Sequence, residues 1–268
     1  MEVQEYHSIF LFEERHWWYV GLRELVRSSL KRFLRPQVNK AGEGVKVLDA
    51  GCGAGMVLKE LSEAYGPGAV GLDLSKVSLS LCKERSTPEN KINKLINSSA
   101  QELPLVGGSF DAVISLDVLY HLGISDDVAA LKEVERVLKD DGILIINLPA
   151  YEFLSGPHDK AVHTRERYTR EKLTGRLKAA GLTVERITYR NTFLFPIVVI
   201  VRTLQRLSSG AHGHAGASDL KMPFFLVNGL LKMMLSLENI CLKVLNLPFG
   251  SSVFCVARKR GKGGGGVG

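Results

Sequence analysis

Along residues 45–148, short apolar runs alternate with stretches whose apolar positions recur every three or four residues. Val45, Val47 and Leu48 open the first run and suit the interior of a strand. Residues 56–65 follow, with Val57, Leu58, Leu61 and Ala64 spaced for one face of a helix. Four further strands are predicted at residues 69–75, 94–97, 108–115 and 143–148, with helices at 75–84 and 126–138. The second of these helices carries Val128, Leu131, Val134 and Leu138 on one face. Residues 143–148 are almost wholly apolar, as a parallel strand buried on both faces is. Strands alternating with helices in this way predict a doubly wound α/β fold.

Outside that series the pattern changes. Residues 6–34 read as an amphipathic helical arm with an aromatic cluster at His16, Trp17, Trp18 and Tyr19, and residues 35–44 as a linker. After a polar loop at 151–167, Thr169 is expected to cap a helix that runs to Ala180 and is ended by Gly181. Residues 182–189 and 252–257 read as the sixth and seventh strands, with residues 191–250 inserted between them.

The insertion is apolar without a break from 193 to 201, too short to span a bilayer, and is then interrupted by Arg202 and Arg206. After a polar stretch at 208–219, which includes His212 and His214 and reads as a mobile loop, a second helix is predicted from 223 to about 247. Lys232, Ser236, Asn239, Lys243 and Asn246 form its one polar stripe, and the rest of its circumference is apolar. Such a helix must hide its wide face within the protein, against a second subunit as in a homodimer, or at a membrane interface. Arg202, Arg206, Lys221, Lys232 and Lys243 beside apolar surface suit anionic headgroups. The chain is therefore divided into an arm at 1–44, a core at 45–190, the insertion at 191–250, a last core strand at 251–258 and a disordered tail at 259–268.

Composition adds little. A chain of 268 residues that is 45% hydrophobic and 24% charged is an ordinary globular protein. Of the net charge of +7, four charges come from Arg258, Lys259, Arg260 and Lys262, so the remaining basic bias is weak and reads as a solvated terminus. Cys52, Cys82, Cys241 and Cys255 are scattered and show neither a disulfide framework nor a metal-ligand spacing, which makes the reducing cytosol the expected compartment. Residues 1–6 are acidic and no uninterrupted apolar core follows, so no signal peptide is expected.

The candidate chemistry lies where the first strand meets Gly51, Gly53 and Gly55. Glycines there give a tight turn and close backbone approach to a ligand. The spacing differs from the Gly-x-Gly-x-x-Gly of a dinucleotide site, and Asp49 beside the turn would repel a pyrophosphate and suits a cationic ligand. Asp73 ends the next strand, 18 residues beyond Gly55, where an acid accepts hydrogen bonds from both ribose hydroxyls.

This Asp49-x-Gly51-x-Gly53-x-Gly55 pattern resembles that of the class I S-adenosylmethionine-dependent methyltransferases. The resemblance implies a Rossmann-like doubly wound sheet of seven strands whose last strand inserts antiparallel between the fifth and sixth. It implies S-adenosylmethionine as cofactor, with Asp49 and the backbone of Gly51, Cys52, Gly53 and Gly55 at its methionine end. Asp73 and Leu74 are expected at the ribose, and Ser99, Ala100, Gln101 and Leu116 around the adenine. Ser99 stands where many members carry an aspartate, which keeps an acceptor but loses a charge.

On the acceptor side, the arm is expected to close over the cofactor, with Trp18 and Arg23 contacting substrate together with Arg167 and Tyr168. A His-Asp loop comparable to His158-Asp159 occurs in ubiquinone-pathway O-methyltransferases, which makes His158 and His163 the first candidates for a base and His121 the third. No Asn-Pro-Pro-Tyr sequence follows the fourth strand, which argues against a nucleic-acid partner. The leading expectation is methyl transfer to oxygen on a small or lipid-linked amphipathic acceptor, with peripheral membrane contact and no metal. A soluble metabolite as acceptor, or a cofactor-binding subunit without catalysis, stay open beside it.

Overall fold

The computed structural model describes residues 3–35, 44–87, 92, 94–208 and 222–261. The arm is two helices, α1 (Val3–Phe12) and α2 (Trp17–Phe33), where the sequence pattern suggested one. The break falls at residues 13–16, where the His16 ring accepts a hydrogen bond from the Trp18 amide at 3.3 Å and caps α2. The expected alternation then appears as β1 (Val47–Ala50), α3 (Met56–Tyr65), β2 (Ala69–Asp73), α4 (Lys76–Glu84), β3 (Leu95–Asn97), β4 (Phe110–Leu116), α5 (Asp127–Val137) and β5 (Leu138–Pro149). Short polar side chains start the helices. Ser75 accepts from the Ser78 amide, and Asp126 from those of Val128 and Ala129. β5 begins five residues earlier than the apolar run, because Leu138 already pairs with Phe110 of β4 before the register shifts in the stretch that holds Asp141 at φ 62°.

Beyond β5 come α6 (Pro157–Ala161), α7 (Arg170–Ala179), β6 (Leu182–Arg190), α8 (Phe195–Ser208), α9 (Phe225–Cys241) and β7 (Ser252–Lys259). The sheet order is β3-β2-β1-β4-β5-β7-β6. β7 runs antiparallel to both β5 and β6, and the other pairs are parallel. Alternation along β5 sorts the two layers. Leu144, Ile146 and Leu148 pack with Leu131 and Val134 of α5 and Leu173 and Leu177 of α7. Ile143 and Ile145 face the layer that holds Leu58 of α3 and Leu22, Leu25 and Val26 of α2.

Two expectations are corrected at the chain's far end. The predicted tail enters β7, where Lys259 Nζ lies 3.3 Å from Glu135 and Arg258 is buried with its Nε 2.8 Å from Glu185. These two charges are structural, not solvated. The second insertion helix stops at Cys241, not near Leu247, since the chain must turn back for the Leu247 amide to reach Thr188 Oγ1 on β6 at 2.8 Å. His212 and His214 lie outside the described residues.

Candidate functional site

The carboxyl ends of β1, β2, β4 and β5 open into one cavity of about 790 Å³, roofed by the arm. Its polar end is built by the glycine turn. The Gly51 and Cys52 amides both donate to the Leu72 carbonyl, which pins the turn to β2. Gly55 has φ +89°, and a Cβ there would stand 2.3 Å from Cys82 Sγ, so it sets how closely α3 and α4 approach and does not itself line the described cavity wall. Gly53 has φ +55° and open space where a Cβ would point, which leaves its backbone free to be approached.

Three carboxylates surround this end. Asp49 is buried and its Oδ2 has no hydrogen-bond partner among the described residues. Burial, and then the charges of Asp73 and Glu13, push its carboxyl up to about 8. Asp73 accepts from the Gly53 amide at 3.0 Å and the Ser75 amide at 2.8 Å, so its oxygens are held at the tip of β2 while burial raises its carboxyl. Glu13 is raised to about 7 by burial, opposed by Arg85 and Arg23. An unpartnered buried carboxylate oxygen among like charges calls for a cation. Leu74, Ser99, Ala100 and Leu116 continue the wall from there.

The other end is formed by Asp117, Tyr120, His121, Pro149, Leu154 and Val162, with Val198, Arg202 and Pro223 from the insertion. Asp117 follows β4 directly. It has φ +56°, an uncommon conformation for a residue with a side chain, and its Oδ1 accepts from buried Asn147 Nδ2 at 3.0 Å. Burial lifts its carboxyl to about 6, and the buried Arg190 and the Asn147 hydrogen bond limit the rise. His121 accepts from the Gly123 amide through Nδ1 at 3.1 Å, and burial and the neighbouring His163 hold its imidazole down to about 4. The sequence reading passed over Asp117. The available signal was its place, the first residue past the carboxyl end of a central strand.

The expected site residues are not all brought together. Asp49, Gly51, Cys52, Gly53, Asp73, Leu74, Ser99, Ala100, Leu116, Trp18 and His121 line the cavity. Arg23 lines it too, but its guanidinium is spent on Glu60 at 2.7 Å and on the carbonyls of Glu13 and Glu14, so it straps the arm and is not free for a substrate anion. Arg167 is likewise paired with both oxygens of Asp159. Tyr168 is fully buried in the core with its hydroxyl 2.6 Å from Asp127, away from the described wall. Gln101 turns outward, its Oε1 accepting from the amides of Ser125 and Asp126. His163 lies behind His121, ring centres 5.9 Å apart, and is not among the described lining residues. His158 falls on α6, and its side chain lies outside the described residues. One face of the Trp18 ring carries the Arg190 guanidinium at 4.7 Å.

Residues 48–146 match the methyltransferase domain family. A demethylmenaquinone methyltransferase of Staphylococcus aureus is 39% identical over 132 residues, which is 47% of this chain and 54% of that protein. The chain spans about half the length of the curated relatives it matches. Among solved structures, the putative methyltransferase complexed with the Trm112 activator from Haloferax volcanii superposes with a TM-score of 0.58 at 18% identity, over 97% of this chain and 94% of that one. A putative sarcosine dimethylglycine methyltransferase from Galdieria sulphuraria gives 0.57 at 18% identity, over 89% and 85%. At that identity the superpositions establish the fold.

Proposed function

We propose that this chain, whose residues 48–146 are a methyltransferase domain set in the class I S-adenosylmethionine-dependent methyltransferase fold, transfers a methyl group from S-adenosylmethionine to an oxygen of a small or lipid-like amphipathic acceptor. The observation that carries the reading is the unpartnered Asp49 oxygen beside the open Gly53 turn, with Asp73 fixed at the next strand end in the same cavity. Asp49 and Glu13 suit the cofactor's ammonium and sulfonium, Asp73 its ribose, and Ser99, Ala100 and Leu116 its base.

The cofactor supplies a methyl group already activated on sulfur. The protein's work is to align the two reactants, exclude water and accept a proton. The arm roofs the cavity and keeps water out. Asp117 is the group we assign to take the acceptor's hydroxyl proton, because a base raised to about 6 is better matched to neutral pH than His121 held at about 4. His121 then shapes the acceptor wall, with His163 packed behind it.

An amphipathic acceptor is supported by apolar Pro149, Leu154, Val162 and Val198 standing beside polar groups in the second half of the cavity, by the insertion residues in its wall, and by the demethylmenaquinone methyltransferase among the relatives. Peripheral membrane contact belongs to the same reading, and a homodimer is the competing way to cover the insertion.

Titration calorimetry with S-adenosylmethionine, S-adenosylhomocysteine and NAD tests the cofactor assignment. The sulfonium and its thioether product are expected to bind and NAD to give no heat, and Asp73→Ala to lose measurable affinity with its circular dichroism unchanged. NAD binding, or full affinity in the variant, overturns the assignment. Cofactor binding with no methylated product across lipid and metabolite pools favours a non-catalytic subunit.

A further inference from the structure

The insertion turns an apolar face outward that the cavity does not use. On α9, Phe225, Leu226, Leu230, Met233, Leu237 and Ile240 are all exposed. Four polar residues of the same helix point inward. Asn228 bonds the Trp17 amide and the Arg15 carbonyl, Ser236 bonds Glu24, Asn239 bonds the Gly21 carbonyl, and buried Glu238 accepts from three backbone amides at residues 191–193. This inverts a water-facing helix, which buries its apolar stripe. α8 carries a second exposed apolar set, Ile197, Ile200, Val201 and Leu204. Apolar patches of this kind mark interaction surfaces.

Charge selects the occupant. At the end of α9 a groove is lined by Ser28, Ser29, Arg32, Arg186 and Lys243. The carbonyls of Lys243 and Leu245 hold the two guanidinium groups in place, and among the described residues no carboxylate pairs with any of the three cations. Beside them Val244 is 81% exposed and Leu245 is exposed as well. Fixed, uncompensated cations adjoining exposed apolar side chains match a phosphate headgroup above an acyl layer. A second copy docked by the same face fits poorly, since the only acid on α8 or α9 is the buried Glu238 and the two cation clusters would meet no acid from these helices. Among the described residues no helix is long and apolar enough to cross a membrane, so contact would be at the surface. The cavity wall includes Val198, Arg202 and Pro223, which lie along the same insertion.

We propose that the outer face of α9 docks on an anionic lipid surface, with the groove of Arg32, Arg186 and Lys243 receiving a lipid phosphate. As an account of where the acceptor enters, this rests on the activity proposed above; as a binding event it is measured without cofactor or acceptor. The test is co-sedimentation of the full chain with phosphatidylcholine vesicles and with vesicles that also contain phosphatidylglycerol. Binding is expected to the anionic vesicles and to weaken with salt. The triple variant Arg32→Gln, Arg186→Gln, Lys243→Gln should lower partitioning about 100-fold, at about fivefold per cation. Leu230→Ser with Leu237→Ser and Ile240→Ser should abolish it, with circular dichroism unchanged because these side chains are exposed. Absence of anionic-vesicle binding overturns the proposal, as does a dimer in sedimentation velocity that the serine variant dissociates while vesicles stay unbound. Failure of the cofactor titration with vesicle binding intact would instead remove the activity and leave the docking surface.

Discussion

Asp117 shows how one backbone angle and one hydrogen bond prepare a group for chemistry. Its φ of +56° and the Asn147 amide point the carboxylate into a desolvated wall, and burial lifts it to about 6. Asp117→Asn is expected to lower kcat about 100-fold or more while cofactor affinity by calorimetry stays unchanged. The pH profile separates a base from a prop. A carboxylate with its pKa raised to about 6 is protonated below that pH, so turnover should fall as pH drops through 6, and the asparagine variant should lose that limb. Unchanged turnover in Asp117→Asn would sink the assignment. The sequence drew attention to histidines because their free pKa is near neutral. Burial raises Asp117 to about 6 and lowers His121 to about 4, and the two opposite shifts together reverse the order that residue type sets.

At the scale of elements, α9 is the place where periodicity gave the stripe and left open which face turns inward. The narrow polar stripe is present, but Ser236 and Asn239 face α2. Gly21 makes this possible, for a Cβ there would stand 2.8 Å from Leu235, so the two helices meet where one has no side chain. A hydrophobic pattern gives the angle between faces and carries no sign for which face turns inward. Glu238 is the polar anchor of the arrangement, accepting from the amides of Asn191, Thr192 and Phe193 ahead of α8. Glu238→Ala leaves two buried donors and one part-buried donor without an acceptor and should cost about 2 kcal/mol or more in urea denaturation. Glu238→Gln, which keeps one acceptor oxygen, should cost less. Equal stability of all three proteins would show that these amides find water or another partner.

Across the whole molecule, the cavity is assembled from parts far apart in the chain, and two arginines hold them in register. Arg85 on the core bonds the Ala54 carbonyl at 2.7 Å, pairs with Glu13 at 2.8 Å and covers the Phe10 ring at 4.3 Å, while Arg23 ties α2 to Glu60. The arm is thus coupled to the glycine turn. Hydrogen exchange should slow together in α1, in the first turn of α2 and in residues 51–55 when S-adenosylhomocysteine is added. Protection confined to residues 51–55 would mean that the arm is a fixed wall. The strand–glycine–helix unit, Asp49 and Asp73 were legible in the residues, because each depends on local periodicity and on spacing along one βαβ unit, whereas the place of the seventh strand came from the family resemblance. The commitments of Arg23, Arg167 and Tyr168, the burial and hydrogen bonding of Asp117 and the outward face of α9 were not. Each is settled by which partner stands opposite across the fold, and burial, ion pairing and helix orientation have no trace in the order of residues until the chain brings those partners together.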